Sequence, residues 1–232
     1  MAEITIRAAD GGSFSAYLAL PKSGKGAGVL VIQEIFGVNA VMRKTADEYA
    51  AAGYVALCPD LFWRIKPGIQ LDDRVEPELK RAFGLFGQFK VDPGVEDLKA
   101  ALAALRQHPA CTGKIGSVGY CLGGKLAYLM ATRGDTDCNV GYYGVGIQDL
   151  LGEAGNIKNP LLLHIAGKDQ FVPPPAQQKM KETLGKNPNV TLYDYPNDNH
   201  AFARLGGADY DKSSADQANR RTAEFFRRHL GG

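Results

Sequence analysis

Lys114-Ile115-Gly116-Ser117-Val118-Gly119-Tyr120-Cys121-Leu122-Gly123-Gly124-Lys125 is the stretch that decides the fold. A strand over Lys114–Val118 runs into Gly119-Tyr120-Cys121-Leu122-Gly123-Gly124, and a helical run over Lys125–Ala131 follows. A reactive side chain on such a strand-to-helix turn sits on strained backbone, and glycines two before and two after let the turn close. The thiol is pushed to the carboxyl edge of the sheet. The first helical N–H groups point at the same spot, favouring negative charge there and offering a donor to a developing oxyanion. With 28 glycines in 232 residues, G-x-C-x-G arises by chance around one of four cysteines with a probability of roughly 0.06, so the context must carry the reading. The bland alternative is a small buried cysteine beside a tight turn.

On either side of this stretch the pattern alternates strand and helix. Ile4–Arg7 and Phe14–Leu20 alternate apolar and polar residues around Asp10-Gly11-Gly12, which predicts an antiparallel hairpin at a sheet edge. Short apolar runs at Val29–Ile32, Tyr54–Leu57, Ile115–Val118, Val140–Tyr143, Leu161–Ile165 and Val190–Tyr195 read as strands. Helices are expected over Ala40–Ala52, around Glu78–Phe89, along the Leu98, Leu102, Leu105 stripe ending at His108-Pro109, and over roughly Ser214–His229. This spacing implies βαβ units, a mostly parallel sheet with helices on both faces, and one domain over 1–232.

Two further residues complete a reactive set. The strand Leu161–Ile165 ends in Ala166-Gly167-Lys168-Asp169, where a carboxylate can orient an imidazole. Val190–Tyr195 leads into Asn199-His200-Ala201-Phe202. Cys121, Asp169 and His200 thus occur in the chain order nucleophile, acid, histidine, each at a strand end. The other histidines take bland readings: His108 and His229 at helix ends, and His164 as a satisfied core residue. Cys58 and Cys138 fall in or beside strands and Cys111 in a loop, and all four cysteines read as thiols.

Composition excludes other classes. The hydrophobic fraction is 45% and the charged fraction 22%, which is ordinary for a globular protein. A net charge of +2, from 27 basic and 25 acidic residues spread along the chain, leaves no footprint for nucleic acid or an anionic membrane. No secretion-type leader or membrane-length apolar run is seen, and no cysteine and histidine spacing suits a metal. We expect a cytoplasmic monomer acting on a small molecule without metal or cofactor.

The motifs resemble the dienelactone hydrolase (carboxymethylenebutenolidase) family over essentially the whole chain. The likeness lies in Gln33-Glu34-Ile35-Phe36-Gly37-Val38-Asn39, Cys58-Pro59-Asp60-Leu61, Gly119–Gly124, Gly141-Tyr142-Tyr143-Gly144-Val145-Gly146 and His200-Ala201-Phe202-Ala203-Arg204. It implies the α/β-hydrolase fold and hydrolysis of an ester or enol-lactone through an acyl-enzyme. It carries the family's Cys, Asp and His onto Cys121, Asp169 and His200. It also adds Glu34, whose family counterpart hydrogen-bonds the resting thiol and takes its proton, and it implies an oxyanion hole from the backbone N–H groups of Ile35 and Leu122. Family substrates are anionic, and arginines grip their carboxylate. Arg204 stands in one such position, while Leu79 replaces the other, with Arg81 two residues later as a stand-in. Aromatic positions that are Tyr and Trp in well-known members are Phe83 and Phe86 here, and a serine after the histidine is Ala201. Arg64, beside Trp63, is a further candidate to meet an acidic substrate, against the bland reading of a solvated loop arginine. Two rivals stand beside this reading: a broader carboxylesterase or thioesterase with the same three residues, and a redox-sensing thiol protein without turnover.

Overall fold

A computed structural model describes residues 2–231. The chain forms two compact units, one running up to Gly116 and the other over Ser117–Gly231.

In the first unit, β1 (Ala2–Arg7) and β2 (Ser13–Ala19) form the expected hairpin, with Ile6 opposite Phe14 and the Asp10 carboxylate accepting from the Gly12 N–H at 3.2 Å. β1, at the sheet edge, leaves most of its residues exposed, whereas β2 alternates over residues 13–16 and is buried beyond that. β3 (Gly26–Ile32) and β4 (Val55–Pro59) are buried almost throughout and pair in parallel, and β2 joins β4 antiparallel, giving the order β1-β2-β4-β3. The helix α1 (Ala40–Ala51) starts at Asn39, whose side-chain oxygen accepts from the Met42 N–H at 3.1 Å. Two more helices follow, α2 (Glu76–Gln88) and α3 (Val91–Gln107), the latter burying Leu98, Leu102 and Leu105 as its stripe predicts.

Arg64 is neither a solvated arginine nor a free anchor. Its guanidinium makes two 2.8 Å bonds to the Asp97 carboxylate, pairs with Asp10, and lies 4.3 Å above the Trp63 ring. Trp63 also donates to Asp97 at 2.8 Å and stacks on Phe14. Asp97 is only 1% exposed, so a buried carboxylate on α3 holds both residues of this loop in place.

The strand β5 (Cys111–Tyr120) crosses the boundary between the units. Cys111, expected in a loop, begins this strand. Periodicity marks only the buried part: Thr112–Lys114 face solvent while the backbone is already extended. In the second unit the order is β5-β6-β7-β8, with β6 (Cys138–Tyr142), β7 (Leu161–Ala166) and β8 (Val190–Tyr195) parallel. Its helices are α4 (Leu122–Arg133), α5 (Pro174–Leu184) and α6 (Lys212–Leu230), the last capped by the Asp211 side chain. Between β6 and β7 the chain makes two 3-10 turns, Ile147–Asp149 and Leu151–Asn156, where glycines at 146, 152 and 155 disfavour a longer helix.

A directed chain of hydrogen bonds ties β6, β7 and β8 to α6. Arg221 can only donate, and it does so to the Tyr195 hydroxyl at 3.1 Å. The Tyr195 hydroxyl also meets His164 Nδ1 at 2.9 Å, and Nε2 faces Thr222 Oγ1 at 3.0 Å; because Thr222 spends its own proton on Tyr142, the neutral ring carries its proton on Nε2 and accepts from Tyr195 at Nδ1. Thr222 then donates to Tyr142 at 2.6 Å, and Tyr142 donates to Asn219 Oδ1 at 3.0 Å. His164 is thus the satisfied core histidine its sequence position predicts. Among the described residues, no helix is long and apolar enough to cross a membrane, and the four cysteines are free thiols.

Candidate active site

Three loops at the carboxyl ends of β5, β7 and β8 bring the key residues together inside the second unit. Cys121 takes φ 56°, a left-handed conformation that non-glycine residues avoid. The turn closes because the chain comes too near itself for any other residue at 119: a Cβ on Gly119 would run into the Gly123 carbonyl. Hydrogen bonds hold the strained residue. The Cys121 N–H donates to the Tyr142 carbonyl at 3.1 Å, and its carbonyl accepts from Gly124 at 3.0 Å at the start of α4.

Asp169 follows β7 in a turn that is stapled to the loop after β8. The Gly167 and Lys168 N–H groups donate to the carbonyls of Tyr195 and Asp198 at 2.8 and 2.9 Å. Gln177, buried on α5, directs its amide to the carbonyls of Ala166, Gly167 and Val172, so the loop around Asp169 is gripped from within. One carboxylate oxygen of Asp169 accepts from the Phe171 N–H at 2.9 Å, and the other meets His200 Nδ1 at 2.8 Å.

His200 is 7% exposed, Asp169 4% and Cys121 7%, so the group is nearly dry without being sealed. Burial opposes charge on the imidazole, but the Asp169 hydrogen bond and the neighbouring Cys121 outweigh it and push its pKa up to about 10. Nε2 is buried and makes no hydrogen bond of ordinary geometry. The Cys121 side chain neighbours the imidazole and favours its protonated form. Two aromatic rings flank the imidazole edge-on, Tyr143 at 5.1 Å and Phe171 at 4.8 Å. Strain gathers here: among the described residues, the non-glycine ones at positive φ are Cys121, Tyr143 and Ala201.

Leu122 opens α4 directly after Cys121, and half-buried Arg204 lies in the turns after His200, its N–H bonded to the Ala201 carbonyl. The remaining candidates belong to the first unit. Glu34 and Ile35 are buried in the turn after β3, where the Gln33 amide holds the Glu34 carbonyl and the Leu61 N–H. On α2, Arg81 and Phe83 are exposed and Phe86 is half-buried. Among the described residues, no group of three or more His, Cys, Asp or Glu could hold a metal ion.

A cysteine on a strained turn, beside an imidazole held by a carboxylate, is an arrangement chemically suited to nucleophilic acyl transfer. The model of the dienelactone hydrolase family matches residues 14–230. The chain belongs to the dienelactone hydrolase family. This hydrolase acts on lactone or ester bonds. It is 42% identical to the carboxymethylenebutenolidase of Pseudomonas putida, over 96% of this chain and 94% of that one. It is 49% identical to an Azospirillum brasilense protein provisionally named carboxymethylenebutenolidase, over 100% of both. A solved structure from Klebsiella pneumoniae, provisionally named dienelactone hydrolase, matches the hydrolase with a TM-score of 0.83 and 26% identity over 97% of each chain.

Sequence reasoning missed Tyr143, Phe171 and Gln177. Tyr143 lay within a quoted motif without a role, and Phe171 and Gln177 carry no local signal, because their partners are set by the packing of loops far apart in the chain.

Proposed function

We propose that the protein hydrolyses enol-lactones and related activated esters in two steps through a thioester on Cys121. The sulfur attacks the substrate carbonyl carbon, the ring C–O bond breaks, and the departing oxygen takes the proton held on His200 Nε2. Water then attacks the thioester, His200 removes its proton, and the C–S bond breaks to release the acid. Asp169 fixes Nδ1 throughout, so that Nε2 is the nitrogen left to exchange protons. The observation that carries this reading is the buried Asp169–His200 bond of 2.8 Å, with Nε2 otherwise unbonded and Cys121 beside the ring.

The Leu122 N–H, at the start of α4, is one oxyanion donor. Ile35 as the second donor, Glu34 as the group that takes the thiol proton, and Arg204, Arg81, Phe83 and Phe86 as substrate contacts follow from the family resemblance. A thiolate suits activated esters such as enol-lactones better than amides, because an enolate is a far better leaving group than an amine.

The test is steady-state hydrolysis of a panel of enol-lactones, aryl esters and thioesters. Cys121→Ala should lower turnover by on the order of 10⁴-fold or more. Loss of one oxyanion donor costs on the order of 10²–10³-fold. Equal rates on enol-lactones and simple aryl esters would replace this reading with the broader esterase, and single-turnover behaviour at Cys121 would replace it with the redox-sensing one. Arg204→Ala should raise KM for anionic substrates only; an unchanged KM removes the anchor role.

A further inference from the structure

We propose that Phe171 is a positioning residue that covers the His200–Asp169 pair and keeps water from their hydrogen bond, an inference that rests on this pair being the working one. Phe171 touches both members of the pair by separate means. Its backbone N–H occupies Asp169 Oδ1 at 2.9 Å, leaving Oδ2 for His200 at 2.8 Å, so neither carboxylate oxygen can rotate away without losing a bond. Its ring meets the imidazole edge-on, with centroids 4.8 Å apart and planes at 81°, the arrangement two aromatic rings favour.

Exposure says which of the two flanking rings does the covering. Tyr143 is 2% exposed and forms the inner wall, whereas Phe171 is 38% exposed and His200 beneath it only 7%. The Phe171 ring therefore stands between the imidazole and solvent. A hydrogen bond in a water-poor setting is stronger and better fixed in direction, because water does not compete for either partner.

The cover is rigid. Val172 donates back to the Asp169 carbonyl at 3.2 Å, the Gln177 amide grips the Val172 carbonyl at 2.7 Å, and Pro173, Pro174 and Pro175 follow at once. Proline fixes φ, so the segment leading into α5 has little freedom to swing the ring away.

The experiment compares wild type with Phe171→Ala, Phe171→Leu and Phe171→Tyr by two readouts: kcat and KM on a reactive ester, and the downfield proton resonance of the His200 Nδ1–H recorded without substrate. Phe171→Ala should lower kcat about tenfold with KM within about twofold of wild type, and exchange with water should broaden the resonance away. Phe171→Tyr, which keeps the ring, should restore both. A Phe171→Ala protein with wild-type kcat and a sharp resonance overturns the proposal, and so does a change confined to KM, which would make the ring a substrate contact. If the alanine variant does not fold, Phe171→Leu carries the same two outcomes. Absence of turnover in wild type would defeat the proposed mechanism, while the resonance still decides the cover.

Discussion

His164 and His200 are both buried in the second unit, yet their surroundings shift their pKa in opposite directions. His164 lies within β7 with a hydroxyl at each ring nitrogen, and burial followed by the nearby Arg221 pushes its pKa well below the ordinary 6.5. His200 lies past the end of β8, where burial also opposes charge, but the Asp169 carboxylate and Cys121 reverse the outcome. Burial alone does not make a histidine structural. What differs is the position along the strand. Inside the sheet, side-chain hydroxyls are the polar groups within reach, whereas the loops beyond the strand ends converge and can bring a carboxylate to the ring.

The sharpest way to break this contrast is Asp169→Asn, which keeps the shape but removes the charge and the correct tautomer. Turnover should fall by about 10⁴-fold with the fold retained, as measured by steady-state kinetics and thermal melts. Gln177→Leu acts one layer further out. It strips the amide from three carbonyls, so we expect about 1–3 kcal/mol of lost stability in urea titration and a fall of about tenfold in kcat. His164→Gln should show the reverse balance: a similar loss of stability, with kcat within about threefold of wild type because no reacting group is disturbed.

The contrast also sets the dependence of stability on pH. His200 binds its proton more tightly folded than unfolded, so its contribution is complete below 6.5 and is lost as pH rises toward about 10. His164 binds its proton less tightly when folded, so its contribution is complete above 6.5 and is lost on acidification below that value. The charged neighbour of His164 is Arg221, and its other contacts are Tyr142, Tyr193, Tyr195 and Thr222. Each histidine adds a slope of at most about 1.4 kcal/mol per pH unit. Urea titrations across this range should show Asp169→Asn flattening the alkaline limb and His164→Gln the acid limb. A His164→Gln protein with an unchanged acid limb would sink the contrast.

The strands and helices were legible because burial on both faces leaves continuous apolar runs, as in Leu161–Ile165, and because turn chemistry marks the ends. That Cys121, Asp169 and His200 would converge was legible for a related reason: residues just past the carboxyl ends of neighbouring strands come together, which leaves few candidates. Phe171 and Gln177 were not legible. Nothing in Asp-Gln-Phe-Val or in a glutamine on an amphipathic helix tells a ring over an imidazole, or an amide on three carbonyls, from ordinary surface chemistry. Arg64 misled for the same reason, since its buried partner Asp97 stands 33 residues away. Cys111 was misplaced because hydropathy does not register the solvent-facing start of β5.

The directed hydrogen-bond chain begins at Arg221 and ends at Asn219, both on α6, which follows β6, β7 and β8 in the chain. During synthesis on the ribosome, Tyr142, His164 and Tyr195 emerge long before the residues that satisfy them. Until that helix arrives, the three polar groups lack the partners that satisfy them away from water, so complete burial of this network needs α6 in place.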